Sequence, residues 1–185
     1  MANSPELLVR PDVEATLTPD EFAWVQKVID RLYDALGCSP ETEATIVLTD
    51  DEEIRGLNAE WRGVDEVTDV LSFAYQEAMD SDLTPELLGD VIISIPTARR
   101  YAEDAKHAEW IGEDEHPVSP WNFQFELAFL VSHGFLHLLG FDHEEPEEKA
   151  EMRRAEREVF EALIATERRP PRAEPLICYE DDLDA

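Results

Sequence analysis

Three histidines lie close together in the segment 133–143, which reads HGFLHLLGFDH. His133 and His137 are four residues apart, so on a helix they share one face and lie about 6 Å apart. This separation lets two imidazole nitrogens reach one zinc ion. Gly140 follows, and glycine readily takes the left-handed conformation that ends a helix and turns the chain back. We therefore expect the turn to bring His143 to the same ion as a third ligand.

The number of ligands indicates the kind of metal site. Three protein ligands leave a fourth position open for water or substrate, which is typical of a catalytic zinc rather than a structural one. We predict one Zn²⁺ per chain, although imidazole ligands also suit nickel and related metals. The other two histidines, His107 and His116, have no metal-binding spacing, and we expect them on the surface.

The residue that follows the first histidine limits the chemistry. Metzincin peptidases share the pattern H-x-x-x-H-x-x-G-x-x-H, but they place a glutamate there as general base. Gly134 occupies this position and cannot accept a proton. Zinc lowers the pKa of bound water to about 7, so hydrolysis needs only a base from another segment or from the substrate itself. Asp142 is a candidate for that base or for orienting a histidine, and it is equally a candidate for capping the turn.

The hydrophobic pattern predicts the elements that position the histidines. Alternating or continuous apolar runs favour strands, whereas apolar residues three and four apart favour helices. Strands are predicted at 6–10, 44–49, 67–75 and 89–95, and helices at 18–37, 50–63, 97–112, 121–139 and 144–167. This mixed order predicts a single α/β-type (α+β) domain over residues 1–167. Residues 168–185 form a Pro-rich, acidic tail that we expect to be poorly ordered.

The overall charge is strongly negative. The chain has 44 acidic and 15 basic residues, a formal net charge of -29. Such a field repels polyanions at long range and, taken alone, argues against a nucleic-acid partner. A basic patch can still exist on an acidic body, and Arg99, Arg100 and Lys106 are the candidates for one.

Several features indicate where the protein works. The N-terminus has no basic segment followed by an apolar run, so we predict no signal peptide. No stretch approaches the roughly 20 apolar residues that span a bilayer. Cys38 and Cys178 are far apart and form neither a CxxC pair nor a disulfide framework, which favours a reducing compartment. We predict a cytoplasmic protein without a membrane partner.

Three blocks of the sequence together resemble the YbeY family. They are HGFLHLLGFDH, NAEWRGVDEVTDVLSF at 58–73 and LGDVIIS at 88–94, and they occur in the family's order. The family comprises bacterial single-strand-specific endoribonucleases of ribosomal RNA maturation, including the 16S 3′ end, and of ribosome quality control. The resemblance implies a zincin-like mixed sheet of about four strands with about five helices, and zinc at the three histidines. It also implies ribosomal RNA and the small ribosomal subunit, or its associated proteins, as partners.

The resemblance assigns further residues. The family's arginine corresponds to Arg62, and a guanidinium can clamp a phosphate through two hydrogen bonds and stabilise charge that grows on it. Ser72 and Asp69 belong to the strand that should border the cleft, so both are candidates for substrate binding, with a turn cap as the alternative for Asp69. Asp90 could similarly support the site or cap a strand end. This chain departs from the common pattern at Trp61, where tyrosine is frequent, and at Ala74, where proline is frequent.

Two other functions remain open at this level. A zinc peptidase-like hydrolase shares the ligand pattern but would need another base. A non-catalytic ribosome assembly factor with a structural zinc would need the histidines for stability and would not need Arg62.

Overall fold

One mixed sheet forms the centre of the protein. The computed structural model describes residues 4–75, 86–111 and 120–176. Within these ranges there are four strands: β1 (Glu6–Val9), β2 (Glu43–Thr49), β3 (Val70–Ala74) and β4 (Leu87–Ser94). Their order is β1-β2-β4-β3, with β1–β2 and β2–β4 parallel and β3–β4 antiparallel. The predicted four-stranded mixed sheet is confirmed, and β3 lies at its edge.

Seven helices occur in the described ranges. They are α1 (Pro11–Glu14), α2 (Pro19–Leu36), α3 (Asp51–Arg62), α4 (Ile95–Glu103), α5 (Ala108–Ile111), α6 (Phe123–Leu138) and α7 (Pro146–Ile164). All five predicted helical segments contain helix, and the short α1 was not predicted. The segment predicted as one helix at 97–112 contains two, because the chain turns after Asp104 and Ala105 has a positive φ of 48°. Gly112, His116 and Cys178, and most of the predicted connections at 76–88 and 113–120, lie outside the described residues.

Helices α2 and α3 begin and end at local signals in the sequence. The Thr18 side chain accepts a hydrogen bond from the Glu21 backbone and the Glu21 carboxylate accepts one from the Thr18 backbone, which is a capping box at the start of α2. Asp50 caps α3 by accepting a hydrogen bond from the backbone N–H of Glu53 at 2.9 Å. Gly37 and Gly63 end these helices with φ of 74° and 71°, in the left-handed region that favours glycine.

The sheet lies between two layers of helices. On one face, α3 packs on a small cluster of buried side chains, Val47, Ile54, Leu71 and Ile92. On the other face, α2, α6 and α7 form the main core with Ile46, Leu48, Val91 and Ile93. Because successive strand residues point to opposite faces, β3 directs Leu71 towards α3 and Ser72 towards α6. Helix α6 is buried along nearly its whole length and contacts α2, α4, α7, β3 and β4.

The start of the C-terminal segment lies against α2 and α7. The backbone N–H groups of Arg172 and Leu176 each donate to a carbonyl of α2, at 2.9 Å in both cases. Arg168 forms an ion pair with Asp34 of α2, and Arg172 forms one with Glu158 of α7 at 3.0 Å. The prediction of a separate, poorly ordered tail stays a prediction, since 177–185 lie outside the described residues. Across the described ranges, none of the helices combines the length and apolar character that a bilayer crossing requires.

Candidate metal centre and cleft

Three imidazole rings meet at the C-terminal end of α6. One nitrogen from each of His133, His137 and His143 lies within 4.8 Å of the others, and among the described residues this is the one group suited to hold a metal ion. Nε2 of His133 and Nε2 of His137 are 3.2 Å apart. Two ligands on a tetrahedral zinc at about 2.1 Å would be separated by about 3.4 Å. The donor set therefore fits a transition metal that binds imidazole.

The turn that delivers the third histidine has the predicted glycine. Gly140 has a φ of 86°, in the left-handed region. The backbone N–H of Phe141 donates to the carbonyl of Leu136 at 3.0 Å, which closes the helix end. His143 then lies with its ring centroid 5.2 Å from that of His137.

A buried carboxylate fixes the first histidine. Oε1 of Glu156 in α7 lies 2.7 Å from Nδ1 of His133, and Glu156 is completely buried. The other oxygen of Glu156 accepts a hydrogen bond from the indole N–H of Trp110. This pairing places the proton on Nδ1 and leaves the lone pair of Nε2 for a metal, which is a common way of orienting histidine ligands.

The second histidine is held in its neutral form. Burial, together with repulsion from His133 and His143, lowers the pKa of His137 to about 4. A neutral imidazole is the form that binds a metal. The ring is therefore ready to act as a ligand at neutral pH without first losing a proton.

Gly134 allows α6 to approach the sheet closely. A Cβ atom at this position would lie 2.5 Å from Cγ1 of Val91 and 3.2 Å from Oγ of Ser72. The Ser72 hydroxyl also donates to the Gly134 carbonyl at 2.9 Å, which joins β3 to α6. A glutamate at this position would thus collide with β4. The packing therefore favours glycine at this position, and the same glycine removes the base that peptidases carry there.

The histidines form one side of a cleft of about 300 Å³ beside the edge strand β3. Arg62, at the end of α3, supplies the only positively charged side chain among the described lining residues. Within the described ranges its exposed guanidinium has no ion-pair or hydrogen-bond partner, whereas Arg55 on the same helix pairs with Asp65 at 2.7 Å. The lining residues are Arg62, Thr68, Asp69, Val70, Ser72, His107, Trp110, Phe129, His133, His137 and His143.

Two of the predicted substrate-binding residues, Ser72 and Asp69, line this cleft. Asp69 Oδ1 accepts hydrogen bonds from the Val70 backbone at 3.0 Å and from the Thr68 hydroxyl at 3.1 Å, so the carboxylate also stabilises the start of β3. Asp142 accepts from the backbone N–H of His143 at 2.6 Å and so caps the turn. Its predicted catalytic role stays a prediction.

The candidates for a basic patch lie outside the cleft lining. Arg99 pairs with Glu21 at 2.7 Å, Arg100 pairs with Asp51 at 2.9 Å, and the ammonium group of Lys106 lies over the ring of Tyr101. These ion pairs offset the two arginine charges within the fold. RNA binding by these residues stays a prediction.

Asp90 lies outside the cleft lining as well. It is in β4 opposite Phe73 of β3, and it accepts a hydrogen bond from the hydroxyl of Tyr75 at 2.5 Å. Within the described ranges Asp90 forms no hydrogen bond or ion pair with the three histidines, and a supporting role at the metal centre stays a prediction.

Sequence reasoning missed two buried carboxylates and misplaced one histidine. His107, predicted to be a surface residue, lies in the cleft wall with 13% of its side chain exposed, and Oε1 of Glu126 lies 2.5 Å from its Nδ1. The surface prediction for His107 was wrong. A possible signal was Glu126 and Glu156 themselves, since each is an acidic residue on an otherwise apolar helix face.

Three histidines that can hold a metal border an open cleft, and an arginine lies in the wall of that cleft. This arrangement is typical of a metal-dependent hydrolase. The chain belongs to the YbeY endoribonuclease family, because the family model described as Endoribonuclease YbeY matches residues 13–164.

Individual relatives agree with this assignment. A protein named Endoribonuclease YbeY from Desulforamulus reducens is 39% identical over 142 residues, which cover 75% of this chain and 84% of the relative. A protein of the same name from an Exiguobacterium species is 35% identical over 160 residues, which cover 83% and 92%.

A solved structure supports the fold. The solution structure of TM1509 from Thermotoga maritima is similar with a TM-score of 0.52 and 24% identity, over 86% of this chain and 88% of that one. At this level of identity the likeness concerns the fold alone.

Proposed function

We propose that the protein is a zinc-dependent endoribonuclease that cleaves single-stranded ribosomal RNA, with His133, His137 and His143 as the metal ligands. The observation that carries this proposal is the position of Arg62, free of acidic partners in the described ranges, in the wall of the cleft that the three histidines border. Membership of an endoribonuclease family gives the class of substrate.

The ligand set supports zinc as the metal. The three imidazoles converge, and Glu156 holds His133 in the tautomer that leaves Nε2 available. When bound, a zinc ion supplies Lewis acidity towards a phosphoryl oxygen and activates water at neutral pH. The chain's part is to present three converging imidazole rings beside the open cleft.

Arg62 is proposed to hold the phosphate that is cleaved. A planar guanidinium presents paired N–H donors that match two phosphate oxygens. No acidic residue in the described ranges pairs with this guanidinium, so its charge is available to stabilise the negative charge that develops during cleavage. Ser72 and Asp69 in the same wall are proposed to contact the ribose or the bases, which carry hydroxyl and amino groups that such side chains bind.

The strongly acidic body suggests how the enzyme finds its substrate. At a net charge of -29, long-range attraction to RNA is absent, so capture depends on local contacts. We propose that the small ribosomal subunit, or proteins associated with it, brings the enzyme to ribosomal RNA in the cytoplasm.

The two alternative functions have less support. Peptidases with this ligand pattern carry their glutamate base after the first histidine, and the fold leaves no room for such a side chain at Gly134. A purely structural zinc would not explain an arginine without a described acidic partner beside the metal ligands.

Cleavage assays with three substrates test the proposal. The purified protein should cut a fluorescent single-stranded ribosomal RNA fragment, should leave the same sequence in a duplex largely intact, and should not degrade casein. A chelator should abolish the RNA cleavage and added zinc should restore it. Cleavage of casein, or RNA cleavage that survives complete metal removal, would contradict the proposal.

A further inference from the structure

His107 is held rigidly in the cleft wall on the side of α4 and α5. Oε1 of the completely buried Glu126 lies 2.5 Å from its Nδ1. The other oxygen of Glu126 accepts a hydrogen bond from Nε1 of Trp121 at 2.7 Å. One face of the imidazole stacks on Phe129, with ring centroids 4.4 Å apart. A ring fixed by a carboxylate and an aromatic face has a single orientation.

The same arrangement holds the metal-site histidine His133. Its Nδ1 lies beside the buried carboxylate of Glu156, which also accepts a hydrogen bond from the indole N–H of Trp110. Its ring also stacks on Phe129, with ring centroids 5.6 Å apart. In both histidines Nδ1 is occupied, so Nε2 is the nitrogen left for other contacts. Nε2 of His133 faces His137, whereas Nε2 of His107 has no hydrogen-bond partner within the described ranges.

His107 is separate from the group that can hold a metal. That group comprises the three histidines of the 133–143 segment, and His107 is not among them although it lines the same cleft. The ring therefore lines the cleft in a fixed orientation, with Nε2 unpaired within the described ranges, and it does not belong to the metal-binding group. This is how a histidine that transfers protons is held, with a carboxylate on one nitrogen and the reacting group at the other.

We infer that His107 is the general base of the reaction, an inference that rests on the proposed endoribonuclease function. Nε2 accepts a proton from the attacking water as the new oxygen–phosphorus bond forms and the bond to the leaving sugar oxygen breaks. The leaving oxygen takes a proton from solvent, and the imidazolium later releases its proton to solvent. Glu126 keeps the proton on Nδ1 and stabilises the imidazolium. His107 thus provides the base that Gly134 cannot.

The carboxylates near the cleft are less suited to this role. Oδ1 of Asp69 already accepts two hydrogen bonds at the start of β3. Asp142 caps the backbone of the turn and is exposed to solvent. Both carboxylates are therefore already engaged by neighbouring residues of the chain.

Two substitutions at His107 test the inference. In His107→Asn, the amide nitrogen can take the place of Nδ1 and keep the contact with Glu126, but nothing replaces Nε2. In His107→Gln, the amide reaches towards the place of Nε2 and can form hydrogen bonds, but it is not a base. For single-stranded RNA cleavage, we expect both variants to lose about 10²–10⁴-fold in kcat, with little change in KM.

Metal content and melting temperature are measured for each variant, and a variant at a neighbouring residue serves as the control. Both variants should bind as much zinc as the wild type, and Glu109→Gln, at an exposed position outside the cleft lining, should keep wild-type kcat. If His107→Asn does not fold, His107→Gln decides the question. The inference is overturned by full activity in His107→Gln, by a rise in KM alone, or by loss of zinc. An inactive wild type would instead refute the proposed function.

Discussion

The carboxylate of Glu156 lies 2.7 Å from Nδ1 of His133 although the two residues belong to different helices and are 23 residues apart. The metal centre is therefore not contained in the 133–143 segment. Helix α7 contributes a fully buried carboxyl group whose position sets the orientation of one ligand.

Replacing Glu156 with glutamine should weaken zinc binding. The amide is nearly isosteric, but its NH2 group cannot replace both acceptor oxygens that hold His133 and Trp110, and changes of this kind typically cost about 10–100-fold in metal affinity. Competition with a chromophoric chelator measures the affinity directly. Glu158→Gln, two residues away and partly exposed in an ion pair with Arg172, is the matched control and should bind zinc as the wild type does. Equal affinities for the two variants would show that Glu156 does not orient the site.

Gly134→Ala should destabilise the fold. The new Cβ would lie 2.5 Å from Cγ1 of Val91, so the helix or the strand must shift, at a cost of about 1–3 kcal/mol. Val91→Ala removes the atom that collides, at its own cost for the lost methyl groups. In urea unfolding, the double variant should lose less free energy than the sum of the two single losses. Additive losses would mean that the close contact is not the reason for glycine here.

Much of the fold could be predicted because its signals are local. The capping box of Thr18 and Glu21 and the terminal Gly37 define α2 within the sequence itself. The break between α4 and α5 was missed because no glycine or proline marks it, and the positive φ falls on Ala105.

The site, like the fold, has parts that local sequence signals predict and parts that depend on tertiary packing. The spacing of His133, His137 and His143 depends only on helix and turn geometry, so the sequence shows it. The roles of Glu126 and Glu156 depend on which helices pack together, and sequence spacing contains no such information. Arg62 could be assigned only through the family resemblance, since its separation from the histidines in the chain does not predict that they share a cleft.

Arg62→Met should lower kcat without affecting stability. Removing a donor to the developing negative charge typically costs about 10²–10³-fold. Arg62 is exposed and has no described partner, so the melting temperature should not change. Arg55→Met is the matched control, since residue 55 lies two turns earlier on the same helix and pairs with Asp65. If both variants cleave RNA as fast as the wild type, Arg62 has no role in catalysis.

The metal-free protein should lose stability on mild acidification. Burial lowers the folded-state pKa of His137 to about 4, whereas an unfolded histidine titrates near 6.5. Between these values the unfolded chain binds a proton that the folded protein does not, so stability falls as the pH drops through this window. Below about pH 4 this residue adds no further loss.

Unfolding in urea at about pH 7 and about pH 4.5 measures the effect. His137→Gln cannot titrate and should lose less free energy between the two pH values than the wild type does. Identical losses would show that His137 is not held in its neutral form by its surroundings.

Titrating zinc into metal-free protein tests the central claim most directly, with binding and RNA cleavage followed in the same samples. Wild-type activity should rise in proportion to zinc and stop at one equivalent per chain. Arg62→Met should bind one equivalent and remain nearly inactive, whereas His137→Ala should neither bind zinc tightly nor cleave. Cleavage by the metal-free wild type, or wild-type activity in His137→Ala, would contradict a metal-dependent endoribonuclease built on these three histidines.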